Sequence, residues 1–173
     1  MFGVQLFEVS GMSTREFCLT RRKSEIPTFV KVLKAVPQGR HDYRPDPKSR
    51  TAAELAGLLA YEEAALLSLL ETGTVEWKDQ PPPAKMAEVV ASFERNAQAV
   101  TDRIAKLDEK GWAKEGQFLM AGAPPWKDTI ENFVWGMFFD AIHHRGQLST
   151  YLRPMGGKVP SIYGPSADDP GGA

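Results

Sequence analysis

Apolar residues recur along this chain at alternating spacings of four and three. The longest such stripe is Met86, Val90, Phe93, Ala97, Val100, Ile104 and Leu107, which holds the helical period for six steps and describes a helix with one buried face. Two more stripes carry polar residues inside them. Leu55, Leu59, Glu62, Leu66 and Leu69 form one, and Met137, Ala141, His144, Leu148 and Tyr151 the other. A shorter pattern, Ile26, Phe29, Val30 and Leu33, marks a helix from about Ser13 to Val36, in which Pro27 removes a backbone donor and predicts a kink or split.

The ends of these segments are marked by their own chemistry. Thr51 and Glu54 form a capping box for a second helix that runs to about Thr72 and stops at Gly73. The third begins after Pro81, Pro82 and Pro83 and is closed by Lys110 and Gly111, and the fourth runs from about Lys127 to Met155. The connector PQGRHDYRPDPKS and the stretch GWAKEGQFLMAGAPPW contain too much Pro and Gly for helix, and the latter reads as a loop or short irregular ribbon. No segment reads as a long alternating strand. The expected fold is all-α, a four-helix bundle with long crossover connections, because four amphipathic helices bury their stripes most economically against one another. Residues 1–173 form one domain, with the bundle at about 13–155 and an extended tail, loose at its end, at 156–173.

Composition narrows the partners. The 21 basic and 22 acidic residues nearly cancel, so no field of one sign recruits nucleic acid or an anionic membrane. No apolar run approaches the roughly 20 residues of a membrane span. A lone Cys18 forms no intramolecular disulfide, and MFGVQLFEVS lacks the basic and apolar regions of a signal peptide. A soluble, cytoplasmic protein acting on a small molecule is the expectation. Glycine spacing excludes phosphate-loop and dinucleotide-binding enzymes. Trp77, Trp112, Trp126 and Trp135 fall mostly in or beside the connectors, where packing of loop onto bundle explains them.

The candidate chemistry lies in the interrupted stripes. His144 faces inward, Asp140 stands one turn before it, and both can reach one point above the helix surface. His143 is about 100° away and is the poorer ligand. Glu62 places a carboxylate among leucines near mid-helix, at the same height as His144, although a slip of one position would bury Glu63 instead. Three such groups suit a divalent metal (Zn, Ni, Mn or Fe). Alternatively, Glu62 and His144 form a buried hydrogen-bonded pair without metal, or Asp140 pairs with Arg145 or a neighbouring helix. Cys18 is a candidate nucleophile if Arg21, Arg22 or Lys23 lowers its pKa, against the plainer reading of a buried core thiol. His41, in a polar connector, reads as solvated or part of a turn.

From about Phe17 to Asp169 the chain resembles the DinB-like superfamily of bacterial four-helix-bundle proteins, through HDYRPDPKSRTAAELA and above all HHRGQLSTYLRPMGGKVPSIYG. The resemblance implies a metal held by three histidines, one from the second helix and two from the fourth in an HxxxHRGQ pattern. Here only His144 matches; Asp140 stands at the first fourth-helix position and Leu58 at the second-helix position, leaving Glu62, one turn on, as the third ligand. It also implies a metal-dependent enzyme, such as a transferase using a low-molecular-weight thiol or a hydrolase, and a homodimer. In that reading His144 and Asp140 are ligands, Glu62 is a ligand or general base, Gln147 and Tyr151 contact substrate or ligands, and Arg145 anchors the connector or tail. The competing reading is a non-catalytic dimeric bundle that has lost its metal. Phe133, Phe138, Phe139 and Leu152 exceed what one bundle seam needs, and some of them are expected to face a partner.

Overall fold

A computed structural model describes residues 11–171; the segment MFGVQLFEVS, on which the expectation of no signal peptide rests, lies outside that range. Among the described residues the elements run α1 (Thr14–Lys34), α2 (Ala52–Thr72), β1 (Thr74–Trp77), α3 (Met86–Lys106), α4 (Glu109–Trp112), β2 (Glu115–Met120), β3 (Trp126–Thr129) and α5 (Ile130–Leu152). The four long helices pack side by side, α2 against both α3 and α5, and α1 against α3 and more thinly against α5.

Local chemistry accounts for most boundaries. Ser13 with Glu16, and Thr51 with Glu54, close reciprocal capping boxes at α1 and α2. Gly73 ends α2 with φ 79°, a left-handed conformation that favours glycine. Helix α1 continues unbroken through Pro27 instead of splitting there. Pro27 and Lys23, whose carbonyl loses its donor, are both exposed, so water can donate to the freed carbonyl.

The all-α expectation needs amendment. Three short strands form one sheet in the order β1-β2-β3, with β1 and β2 parallel and β2 and β3 antiparallel. The ribbon before the last helix is thus the β2–β3 hairpin, and the residues expected to open that helix from Lys127 belong to β3 (Trp126–Thr129), with Thr129 capping α5 instead. The sheet lies close on the helices at Gly116, where a Cβ would meet Leu69 Cδ1 at 2.9 Å and Ile130 Cδ1 at 3.0 Å. Helix α3 stops at Lys106, because Asp108 accepts from the Gly111 amide at 2.7 Å and starts the separate turn α4. That turn buries Trp112, whose indole donates to Thr14 Oγ1 at 3.1 Å.

The stripes are buried as their spacing requires. Leu55, Leu59, Glu62, Leu66 and Leu69 are all enclosed, as are Val90, Phe93, Ala97, Val100 and Ile104. Of the four apolar residues in surplus on α5, Phe133, Phe138 and Leu152 are buried in the chain itself, and Phe139 is 62% exposed. The tail is held rather than loose as far as Gly171. Asp168 accepts from Arg153 Nε at 2.8 Å and from the Val159 amide at 3.0 Å, and Asp169 accepts from the Ser161 amide at 2.8 Å. No helix among the described residues is long and apolar enough to cross a membrane.

Candidate metal centre

Helices α2 and α5 bring Glu62, Asp140 and His144 together. One donor atom from each lies within 4.8 Å of the other two. Glu62 comes from the buried face of α2 and is 2% exposed, whereas the Asp140 side chain, at 57% exposed, opens the cluster to solvent. His144 Nε2 stands 3.4 Å from Asp140 Oδ2. Its Nδ1 lies 2.8 Å from Gln147 Oε1. An amide oxygen there requires Nδ1 to carry the proton, which leaves the Nε2 lone pair facing the carboxylates, the arrangement that orients an imidazole for a metal.

Neither Glu62 oxygen has a hydrogen-bond partner although both are buried. Burial, followed by the nearby Asp140 charge, pushes the Glu62 carboxyl up to about 9, with Arg50 opposing weakly. A buried carboxyl without a partner is costly. Here it is aimed at a second carboxylate and an imidazole nitrogen, a donor set that fits a divalent cation with oxygen-rich coordination. The hydrogen-bonded Glu62–His144 pair is not formed, because His144 spends its contacts on Gln147 and Asp140.

The other sequence-derived candidates fall elsewhere. Tyr151 is buried in the core with its ring edge-on to Tyr43, 5.6 Å between centroids. His143 is exposed and Leu58 only partly so. His41 is part of a turn, the second of its two readings, and is partly exposed; its Nε2 is enclosed without a partner, and its carbonyl accepts from the Ala53 amide at 2.9 Å. Cys18 is fully buried, and burial, despite Arg22 nearby, pushes its thiol up to about 11, so the thiolate a nucleophile needs is not available near neutrality. Arg145 does not pair with Asp140.

Arg145 instead belongs to a buried polar group that the stripes of α2 and α5 do not reveal. Its Nη1 donates to Glu25 Oε2 at 2.6 Å and to Thr28 Oγ1, and its Nη2 donates to the Tyr163 hydroxyl at 2.6 Å. Tyr163 donates in turn to Glu25 at 3.0 Å, tying the tail across α5 to α1. Burial works to raise the Glu25 carboxyl, but Arg145 beside it holds it below the usual carboxylate range. A second pair, Arg22 with Glu63 at 2.7 Å, joins α1 to α2. The signal was present in α1: Cys18, Arg22, Glu25, Phe29 and Val32 repeat at 4, 3, 4, 3, a stripe with two charges inside it. Both glutamates of the Glu62–Glu63 doublet are therefore buried, one paired and one free of any partner.

Comparison with known proteins agrees with this architecture. The fold is similar to a DinB-like protein from Bacillus cereus ATCC 10987 (19% identity, TM-score 0.70, covering 86% of this chain and 97% of the other). It is similar also to one from Bacillus subtilis (15%, 0.61, 81% and 92%). A third is a putative member of the DinB family from Exiguobacterium sibiricum 255-15 (20%, 0.58, 84% and 95%). No curated protein matches the chain. Residues 19–171 match the DinB family, and the chain belongs to that family.

Proposed function

We propose that this four-helix bundle is a divalent-metal-dependent enzyme, a thiol-dependent transferase or a hydrolase acting on a small molecule, with Glu62, Asp140 and His144 as an altered ligand set. The observation that supports this is the buried, partnerless Glu62 carboxyl facing Asp140 and His144, with donor atoms within 4.8 Å. A metal held there lowers the pKa of a thiol or water brought to it. The chain's own residues do the rest. Gln147 holds His144 in one tautomer, the buried leucines beside Glu62 exclude water from one side, and exposed Asp140 leaves the other side open to a substrate. Burial keeps the proton on Glu62 up to about 9 in the free site, and a metal held there would require Glu62 to release that proton on becoming a ligand.

Leu58, in place of the family's second-helix histidine, favours the second reading, a non-catalytic bundle retaining a polar cluster. Elemental analysis separates the two. Protein purified without chelator and reloaded with Zn, Ni or Mn is expected to carry about one metal per chain, and His144→Ala to lose it, since removing a ligand costs more than the roughly 10–100-fold of an outer-shell change. Absent or sub-stoichiometric metal after reloading, with His144→Ala changing only thermal stability, would establish the non-catalytic reading.

Association into a homodimer is part of the proposal. Phe17 and Phe139, 49% and 62% exposed, flank Trp135 at centroid distances of 5.8 and 5.5 Å, a patch suited to a second copy. Sedimentation equilibrium is expected to give twice the chain mass and Phe139→Glu to give the monomer; a wild-type monomer at micromolar concentration refutes it.

A further inference from the structure

One turn before Glu62 on α2, Leu58 lines a recess together with Tyr61, Trp77, Pro83, Arg50 and Lys78. The walls are fixed. The Tyr61 hydroxyl donates to the Glu76 carbonyl at 3.2 Å and accepts from the Lys78 amide at 3.0 Å. The Trp77 ring stands edge-on to Tyr61 at 4.8 Å and stacks on Phe118 at 5.6 Å. Pro83 comes so close to α2 that a Cβ on Gly57 would meet its Cδ at 3.0 Å.

The recess is small, about 90 Å³, well under the roughly 300–1,000 Å³ that encloses a whole small ligand. It has room for the head of a molecule whose reacting part lies beyond it. Four residues along a helix advance about 6 Å, so a group seated beside Leu58 lies one turn from the Glu62 cluster.

Charge decides which group. Glu54 shares the recess, but its carboxylate accepts from the Thr51 amide at 2.6 Å and is committed to capping α2. Lys78 is paired only with Glu76 at 3.1 Å, both side chains mostly exposed. Arg50 makes no ion pair or hydrogen bond among the described residues, yet its charge is felt at both Glu54 and Glu62. We infer that Arg50, with Lys78 beside it, is a specificity residue that seats a carboxylate or phosphate group of the substrate in this recess, within one helical turn of Glu62. The guanidinium fork matches either group with two parallel hydrogen bonds. This deepens the proposed function by naming a substrate class, an anion-bearing small molecule, and rests on that reading for its catalytic meaning.

The test is a titration of the full-length, chelator-treated protein with inorganic phosphate and, separately, with acetate, at constant ionic strength set by sodium chloride. The Arg50 Nε–H and Trp77 indole N–H signals are followed by nitrogen–proton NMR. Saturable shifts at these two signals are expected with at least one of the anions, and the stronger response tells carboxylate from phosphate. Arg50→Gln, an exposed substitution whose folding is checked by its melting temperature, is expected to weaken binding about tenfold or more, the worth of a charge-assisted pair. Shifts that do not saturate, that spread over all basic residues, or that keep their midpoint in Arg50→Gln overturn the inference. Metal reloading of the wild-type protein separates the two readings. Anion binding at Arg50 in a wild-type chain that takes up no metal leaves the recess assigned and refutes the metal enzyme; a loaded metal with a silent Arg50 refutes the recess alone.

Discussion

Metal-free protein is expected to lose stability steadily as pH rises from about 4.5 towards 9, and Glu62→Gln is expected to abolish most of that loss. In the unfolded chain the Glu62 carboxyl ionises at its ordinary value of 4.5; in the fold it holds its proton up to about 9. Between those values the folded state binds a proton that the unfolded state has released, so rising pH favours unfolding, by about 1.4 kcal/mol per unit. At pH 7 that amounts to roughly 3 kcal/mol. Glutamine matches the neutral acid in shape, so the variant should be more stable than the parent by about this much at pH 7 and nearly equal to it at pH 4. Urea unfolding of both proteins in chelator at pH 4, 7 and 8.5 measures it. Parallel curves for parent and variant would show that Glu62 ionises normally in the fold. With metal present the order reverses, because a ligand carboxylate must be ionised: affinity should climb with pH over the same window and fall in Glu62→Gln.

Breaking the Arg22–Glu63 pair is expected to be the costliest single change in the bundle. Their side chains are 0% and 5% exposed and meet at 2.7 Å. Arg22 also donates to Thr101 Oγ1 and to the Ala97 carbonyl, each at 3.2 Å, so the one guanidinium joins three helices. Glu63→Ala strands a buried cation, which costs about 3–5 kcal/mol. At roughly 2–4 °C per kcal/mol for a chain of this size, the melting temperature should fall by about 6–20 °C. Arg22→Met together with Glu63→Leu should recover most of the loss, since an apolar pair of similar volume removes both charges from the core. Calorimetry on the single and double variants decides it; a double variant no better than the single would mean that the pair contributes by shape and not by charge. Adjacent residues thus behave oppositely. Glu63 lies 2.7 Å from an arginine that it serves as partner, while Glu62, with no partner, destabilises the fold wherever it loses its proton.

Helix positions and inward faces were legible because both depend on neighbours a few residues away. A 4, 3 spacing states which side of a helix must be covered, and Thr51–Glu54 and Gly73 state where α2 starts and stops. By the same logic Glu62 and His144 could be placed indoors before any partner was known. The charged stripe of α1 carried the same signal for Arg22 and Glu25, but Pro27 drew attention to a break that solvent exposure at Lys23 makes unnecessary.

What required the folded chain was every pairing across distance. Strands of four residues such as Thr74–Trp77 are too short to show a period and exist through their neighbours, β1 reaching β2 some forty residues away in sequence. Tyr163 anchors to Glu25 and Arg145 only because the tail folds back over α1 and α5. That Glu62 meets Asp140 and His144 rather than a cation, and that both its oxygens stay without a partner, is likewise a property of how α2 lies on α5. Periodicity is local and names the face a side chain occupies; the identity of the group across from it is set by packing between segments far apart in the chain, and the chemistry of this site depends on that second step.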